Sequence, residues 1–222
     1  MRPIQNADGH VGLTARNYPI DASTAIATGQ VVTLSGGRIV AAAAAQTGAI
    51  TGIAGEDHSG QADVLNARSN AQEILVCDSP GLIFECRVPE ITAAAANNSA
   101  TAVAARSGDV AAAIADDAFN GGVLVLKSKA PGSTNADPVG KRIPVTDYAK
   151  TNLVFTKPSG GVACQGDVYE IYPPVGSAIG ALDADTRSTF VVSATGATAI
   201  RVVGHDYDRH MIRCMAALHT LG

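Results

Sequence analysis

His205, Asp206, Tyr207, Asp208, Arg209 and His210 are the densest cluster of metal-ligand types in the chain. On a strand, Asp206, Asp208 and His210 would project from one face, because side chains alternate along an extended backbone. A closed metal site also needs ligands from a second element, and none is supplied, so the run reads as a solvated turn ahead of a strand. Glu56-Asp57-His58-Ser59 sets an acid, a base and a hydroxyl side by side. A catalytic triad needs side chains converging from separate elements, so this run reads as a polar loop. Gly132 to Lys141 is no phosphate loop: seven residues rather than four separate Gly132 from Gly140, and Arg142 stands where Ser or Thr should bind magnesium. Neither Gly-x-Ser-x-Gly nor Gly-x-Gly-x-x-Gly occurs. The expectation is a protein that is not an enzyme, with no catalytic residue, no metal and no cofactor.

Cys77, Cys86, Cys164 and Cys214 contain no Cys-x-x-C and read as buried free thiols. Cys77 and Cys86 flank Asp78-Ser79-Pro80-Gly81 and are expected to face each other across a hairpin, as thiols in a reducing cytosol. Tyr169 and Tyr172, close to Pro173-Pro174, read as core or edge packing, with stacking on a sugar or a partner proline as the alternative.

The elements that would have to carry a site are poor in large side chains. There is no Trp, aromatics make up 4 % and charged residues 16 %, and the hydrophobic 46 % is largely alanine. Few rigid side chains are left to build deep pockets, and a weakly charged Ser/Thr/Asn/Gly surface suits permanent packing against neighbours. A formal net charge of −4 with 16 scattered basic residues argues against nucleic acid, which needs clustered Lys and Arg. Residues 1–10 lack the apolar core of a signal peptide and no 18 apolar residues run together, so a soluble, cytosol-made product with no membrane partner is expected.

The pattern predicts an all-β fold, a mainly antiparallel sandwich or barrel of short strands, with an extended N-terminal arm and at most one or two short helices. Pro3, Gly9, Gly12 and Pro19 interrupt residues 1–20, which read as the arm. Residues 21–222 read as the β-rich domain, divisible into two β subdomains near 119–140, where Ala130 to Pro138 is rich in Pro, Gly, Ser and Asn. Thr28 to Val40 reads as a hairpin turning at Gly36-Gly37. Leu82 to Val88 alternates, with Leu82, Phe84, Cys86 and Val88 on a core face and Glu85 and Arg87 on the other. The alanine-rich stretch from Ile91 to Ala118 leaves room for one or two short helices. Val123 to Leu126 reads as a central strand. Met211 to Leu221 fits either a helical stripe (Met211, Met215, Leu218) or a strand face (Ile212, Cys214, Ala216, Leu218), and the strand is preferred.

Gly29-Gln30-Val31-Val32-Thr33-Leu34-Ser35-Gly36-Gly37-Arg38-Ile39-Val40, the alanines that follow, and Ile50-Thr51-Gly52-Ile53-Ala54-Gly55-Glu56 resemble the small β-domains of tailed-bacteriophage head decoration (cement) proteins. Ile74 to Val88 resembles the strand pair that follows in such proteins. The resemblance covers about the first 90 residues; residues 120–222 then form either a second β-domain or strands completing one larger barrel. It implies a structural virion protein, made in the bacterial cytoplasm and located on the outer capsid surface. Its partners would be the major capsid protein and further copies of itself, as a trimer or dimer. It would act by avidity over many modest contacts. Partner contacts are expected from Arg2, Ile4 and Tyr18 on the arm, which can add a strand to a neighbour's sheet edge, and from Glu85 and Arg87. The rival reading is a host- or glycan-binding β module of a phage fibre or head.

Overall fold

The structure is a computed structural model and describes residues 2–6, 14–21, 23–42, 48–59, 72–110, 116–179 and 200–217. Up to residue 87 the strands are β1 (Arg2–Asn6), β2 (Ala15–Ile20), β3 (Ala25–Ile26), β4 (Val31–Ser35), β5 (Arg38–Ala41), β6 (Gly52–Ala54), β7 (His58–Ser59), β8 (Gln72–Cys77) and β9 (Leu82–Arg87). Next come β10 (Glu90–Thr92), β11 (Ala102–Ala104), β12 (Val123–Ser128), β13 (Arg142–Pro144), β14 (Asp147–Ala149), β15 (Val154–Thr156) and β16 (Val168–Tyr172). The last are β17 (Ala178–Ile179), β18 (Ile200–Asp206) and β19 (Met211–Ala216). The fold is all-β, as the alternating patterns predict, and a 3-10 turn at Lys150–Asn152 is the one helical element among the described residues.

The chain divides into two compact units, one of residues 1–87, 179–190 and 197–222, the other of 88–178 and 191–196. Residues 119–140, expected as a place of division, thus lie inside the second unit. The loop after β12 is held there by buried Asn135 and Asp137.

In the first unit, β2-β5-β4-β6-β8 close a small barrel. Its core is Ile20, Ile26, Val32, Ile39, Ala54, Ile74 and Val76, with Tyr18 and Leu34 packed against it. β4 and β5 form the expected hairpin, with Ser35 opposite Arg38. Gly36 and Gly37 both take positive φ, 57° and 80°, the two-residue turn whose twist matches the strands it joins. The same unit holds a five-stranded sheet in the order β1-β9-β19-β18-β17.

Residues 2–6 and 15–20 of the extended arm are strands paired within the chain, β1 with β9 and β2 with β8, and two expectations about β8, β9 and Glu85 are corrected here. Pro3 is accommodated because β1 lies at the sheet edge and its register shifts between Pro3 and Gln5. β8 and β9 do not form a hairpin, because β8 belongs to the barrel and β9 to the five-stranded sheet. Cys77 and Cys86 therefore do not face each other, and the neighbour of Cys86 is Cys214, with sulfurs 3.6 Å apart. Finally, Glu85 is not exposed: its side chain is 0 % accessible.

The second unit carries the sheets β10-β16-β12-β13 and β11-β15-β14. β12 lies between two neighbours with Leu124, Val125 and Leu126 buried, as its continuous apolar run predicts. The rings of Phe119, Tyr148 and Phe155 meet at 4.7 to 5.3 Å between centroids. Over residues 90–110 the alanines form strand and turn, not helix. Asn97 takes a left-handed φ of 66°, and the Asn98 side chain donates to the Ala94 carbonyl and accepts from the Ala104 amide, folding the chain back on itself.

Candidate interaction face

The five-stranded sheet is two-faced. β19 alternates half-buried Met211, Arg213 and Met215 with buried Ile212, Cys214 and Ala216. Its neighbours put Leu82, Phe84, Cys86, Ile200 and Val202 among the buried set. Cross-strand register then fixes what shares the opposite face: Met215 stands opposite Ile83, Arg213 opposite Glu85, and Met211 opposite Arg87. On the far side of β19, Arg201 pairs with Met215 and Asp206 with Met211. Between them the register shifts, and Val203 at this irregularity is 37 % exposed.

Glu85 organises this face. Arg209, in the turn between β18 and β19, donates from Nη1 to Glu85 Oε1 at 2.8 Å. Arg213 Nε lies 3.8 Å from the same oxygen, and its Nη2 donates to Asp206 Oδ2 at 3.1 Å. Asp206 Oδ1 also accepts the Arg209 amide at 3.2 Å, closing the turn. A carboxylate with no solvent contact holds two half-exposed guanidinium groups in place. Arg87 and Arg201 are exposed, and no ion pair to either is found among the described residues.

The candidate partner-contact residues are distributed unevenly. Arg87 is exposed on this face. Glu85 lies beneath it, holding the arginines, and offers no exposed atom of its own. Arg2 stands in register opposite Glu85, and Ile4 falls where the β1 register shifts; their side chains lie outside the described residues. Tyr18 is on the barrel, remote in register from this sheet, and its hydroxyl donates to Asp78 Oδ2 at 2.5 Å. Burial, then that bond to a carboxylate, push the Tyr18 hydroxyl up to about 12. In the sequence, Arg209 stands out only as part of the His205–His210 run, and the alternation of Met211-Ile212-Arg213 carries the signal for Arg213.

The other chemistry-bearing runs disperse. Glu56 accepts the Leu75 amide at 2.7 Å, Asp57 accepts the Thr28 amide at 2.7 Å, and His58 Nδ1 meets the Thr24 carbonyl at 2.6 Å, so acid and base point to different partners. His205 Nδ1 meets the Tyr207 hydroxyl at 3.1 Å. Among the described residues no three His, Cys, Asp or Glu side chains gather as a metal site.

The second unit has a buried polar centre that sequence reasoning missed. Asp167 accepts the Ala130 amide at 2.9 Å, the Cys164 amide at 3.0 Å, the Asn135 side chain at 2.9 Å and the Ser133 hydroxyl at 3.2 Å. Burial would raise its carboxyl, but these donors outweigh burial and hold it below the usual carboxylate range. Asn135 also donates to the Tyr169 hydroxyl at 2.9 Å and accepts the Asp137 amide at 3.0 Å. Lys157, buried, donates to the Ala100 and Gly161 carbonyls at 2.8 and 3.0 Å. A Cβ on Gly161 would sit 2.3 Å from Asn135 Oδ1, so only glycine fits there. These bonds pin the 130–138 loop. Tyr169 and Tyr172 are both fully buried, as the core reading predicts.

No protein-family model matches the chain, and no curated protein and no solved structure matches it either.

Proposed function

We propose that this chain is a structural protein of a phage virion, a decoration protein that docks on the outer surface of an icosahedral capsid and stabilises contacts between major capsid proteins. The observation that carries a docking role is the sheet face on which Ile83, Met211 and Met215 lie among Arg87, Arg201 and Arg213, with Arg209 reaching Glu85 from the adjoining turn. Methionine and arginine are the side chains that protein interfaces favour, and Glu85 holds Arg209 and Arg213 in position before any partner arrives. All five lysines of the chain lie between 127 and 157, so the first unit presents arginine alone as its cation. The capsid as the partner rests on the resemblance of residues 27–56 and 74–88 to head decoration proteins. On that reading the chain works by burying surface across neighbouring capsid subunits, multiplied over a repeating lattice.

Particles lacking the chain should release DNA at a lower temperature than complete ones, and adding back purified protein should restore them with no cofactor and no turnover. Particles equally heat-resistant with and without it, but unable to adsorb to cells, would overturn this reading in favour of a host-binding module.

A further inference from the structure

We propose that the face centred on Glu85 and Arg213 docks onto an acidic surface of its protein partner, which on the decoration reading above is an acidic strip on the capsid protein. Four arginines, Arg87, Arg201, Arg209 and Arg213, stand on or beside this face against Glu85 and Asp206. Counting Asp208 at the tip of the turn, positive charge still exceeds negative. The excess sits on a chain whose formal net charge is −4, so it is a local feature and not a general basicity.

The four arginines divide into two kinds. Arg209 and Arg213 are engaged by Glu85 and Asp206, keep 47 % and 43 % of their side-chain surface exposed, and are fixed in direction. Arg87 and Arg201 are exposed with no ion pair among the described residues; Arg201 stands beside Met215 and Ile83, Arg87 beside Met211, and Arg213 lies between the two apolar spots. Half-buried apolar side chains interleaved with guanidinium groups match a protein surface that carries carboxylates, because Arg87 and Arg201 can each take a carboxylate while Ile83 and the methionines exclude water beside them. A nucleic acid is the poorer fit, since its phosphates would meet the Asp206 carboxylate and find no use for Ile83, Met211 and Met215.

The test uses the full chain and empty shells assembled from the major capsid protein, with binding read by co-sedimentation. R87E/R201E should bind about tenfold more weakly at low salt with an unchanged melting temperature. R87Q/R201Q should fall between it and the parent chain, and R106E, one such charge reversal placed in the second unit, should bind like the parent. Parent binding should weaken with salt, a readout that needs no substitution. Parent binding to shells with R87E/R201E equally tight would overturn the acidic-partner inference and leave decoration standing. No binding of the parent chain to shells would overturn both. An effect of R87E/R201E confined to self-association, or to binding of duplex DNA, would overturn the inference in favour of a second copy or a nucleic acid.

Discussion

Arg209 reaches back from the turn between β18 and β19 to Glu85, a residue 124 positions earlier, and donates to its Oε1 at 2.8 Å. The carboxylate is wholly buried while the guanidinium is half exposed, so the pair exists to satisfy the acid and aim the base. Glu85→Ala should cost about 1.5–3 kcal/mol, the range for a lost charge-assisted hydrogen bond, discounted because both arginines can return to water. Arg87→Ala should cost less than about 0.5 kcal/mol. Denaturant unfolding measures both, and equal effects would contradict the buried role of Glu85.

Phe84, beside Glu85 in β9, is 1 % exposed and stands opposite Cys214. Phe84→Ala should cost about 3–5 kcal/mol through the cavity it leaves. For a chain of this size that is a fall of about 2–4 °C in melting temperature per kcal/mol, readable by calorimetry.

Acid should act on the second unit through Asp167. Its carboxyl is held below the usual value when folded, so the folded state takes up that proton less readily than the unfolded chain. The stability it contributes is complete above about pH 3.9 and is lost as pH falls through the folded value. Asp167→Asn should be destabilised at neutral pH, and its deficit should shrink as pH falls below about 4. A deficit independent of pH would place the stabilisation elsewhere.

Base should act through tyrosine. Burial, then the bond to Asp78, push the Tyr18 hydroxyl up to about 12; burial does the same for Tyr169, also up to about 12. Burial and then Asp116 raise Tyr148. Each folded value lies above that of the unfolded chain, so this stability is complete below about pH 10 and is lost as pH rises further. Phenolate absorbance should show Tyr18, Tyr148 and Tyr169 ionising above the ordinary value, together with unfolding.

Alkylation should rank the thiols. Ser133 first, then Thr134, hydrogen-bond the Cys164 sulfur and lower its thiol, which is half exposed. Burial raises Cys77, and burial followed by Cys86 raises Cys214 further. Iodoacetamide should label Cys164 first, Cys77 more slowly, and Cys86 and Cys214 only on unfolding. Mass spectrometry of partially labelled protein gives the order.

What the sequence by itself determined is what neighbouring residues decide. The period of two in Leu82 to Val88 and in Met211 to Ala216, the paired glycines at 36 and 37 and the apolar run of β12 each specify a strand or turn from within a few residues. Those features give an all-β chain and the exposed position of Arg87. Tertiary structure alone decided the partners, because strand order joins residues far apart. β9 lies between β1 and β19, and only that placement buries Glu85 under Arg209, sets Cys86 beside Cys214 and leaves Cys77 in another sheet. Alternation put Glu85 on the polar face correctly but carried no information on what would cover it. The Asp167 centre was illegible for the same reason, since its donors at Ala130, Ser133 and Asn135 lie 32 to 37 residues from it along the chain. A buried carboxylate is tolerable only where distant donors converge, and that convergence is a property of the assembled sheets.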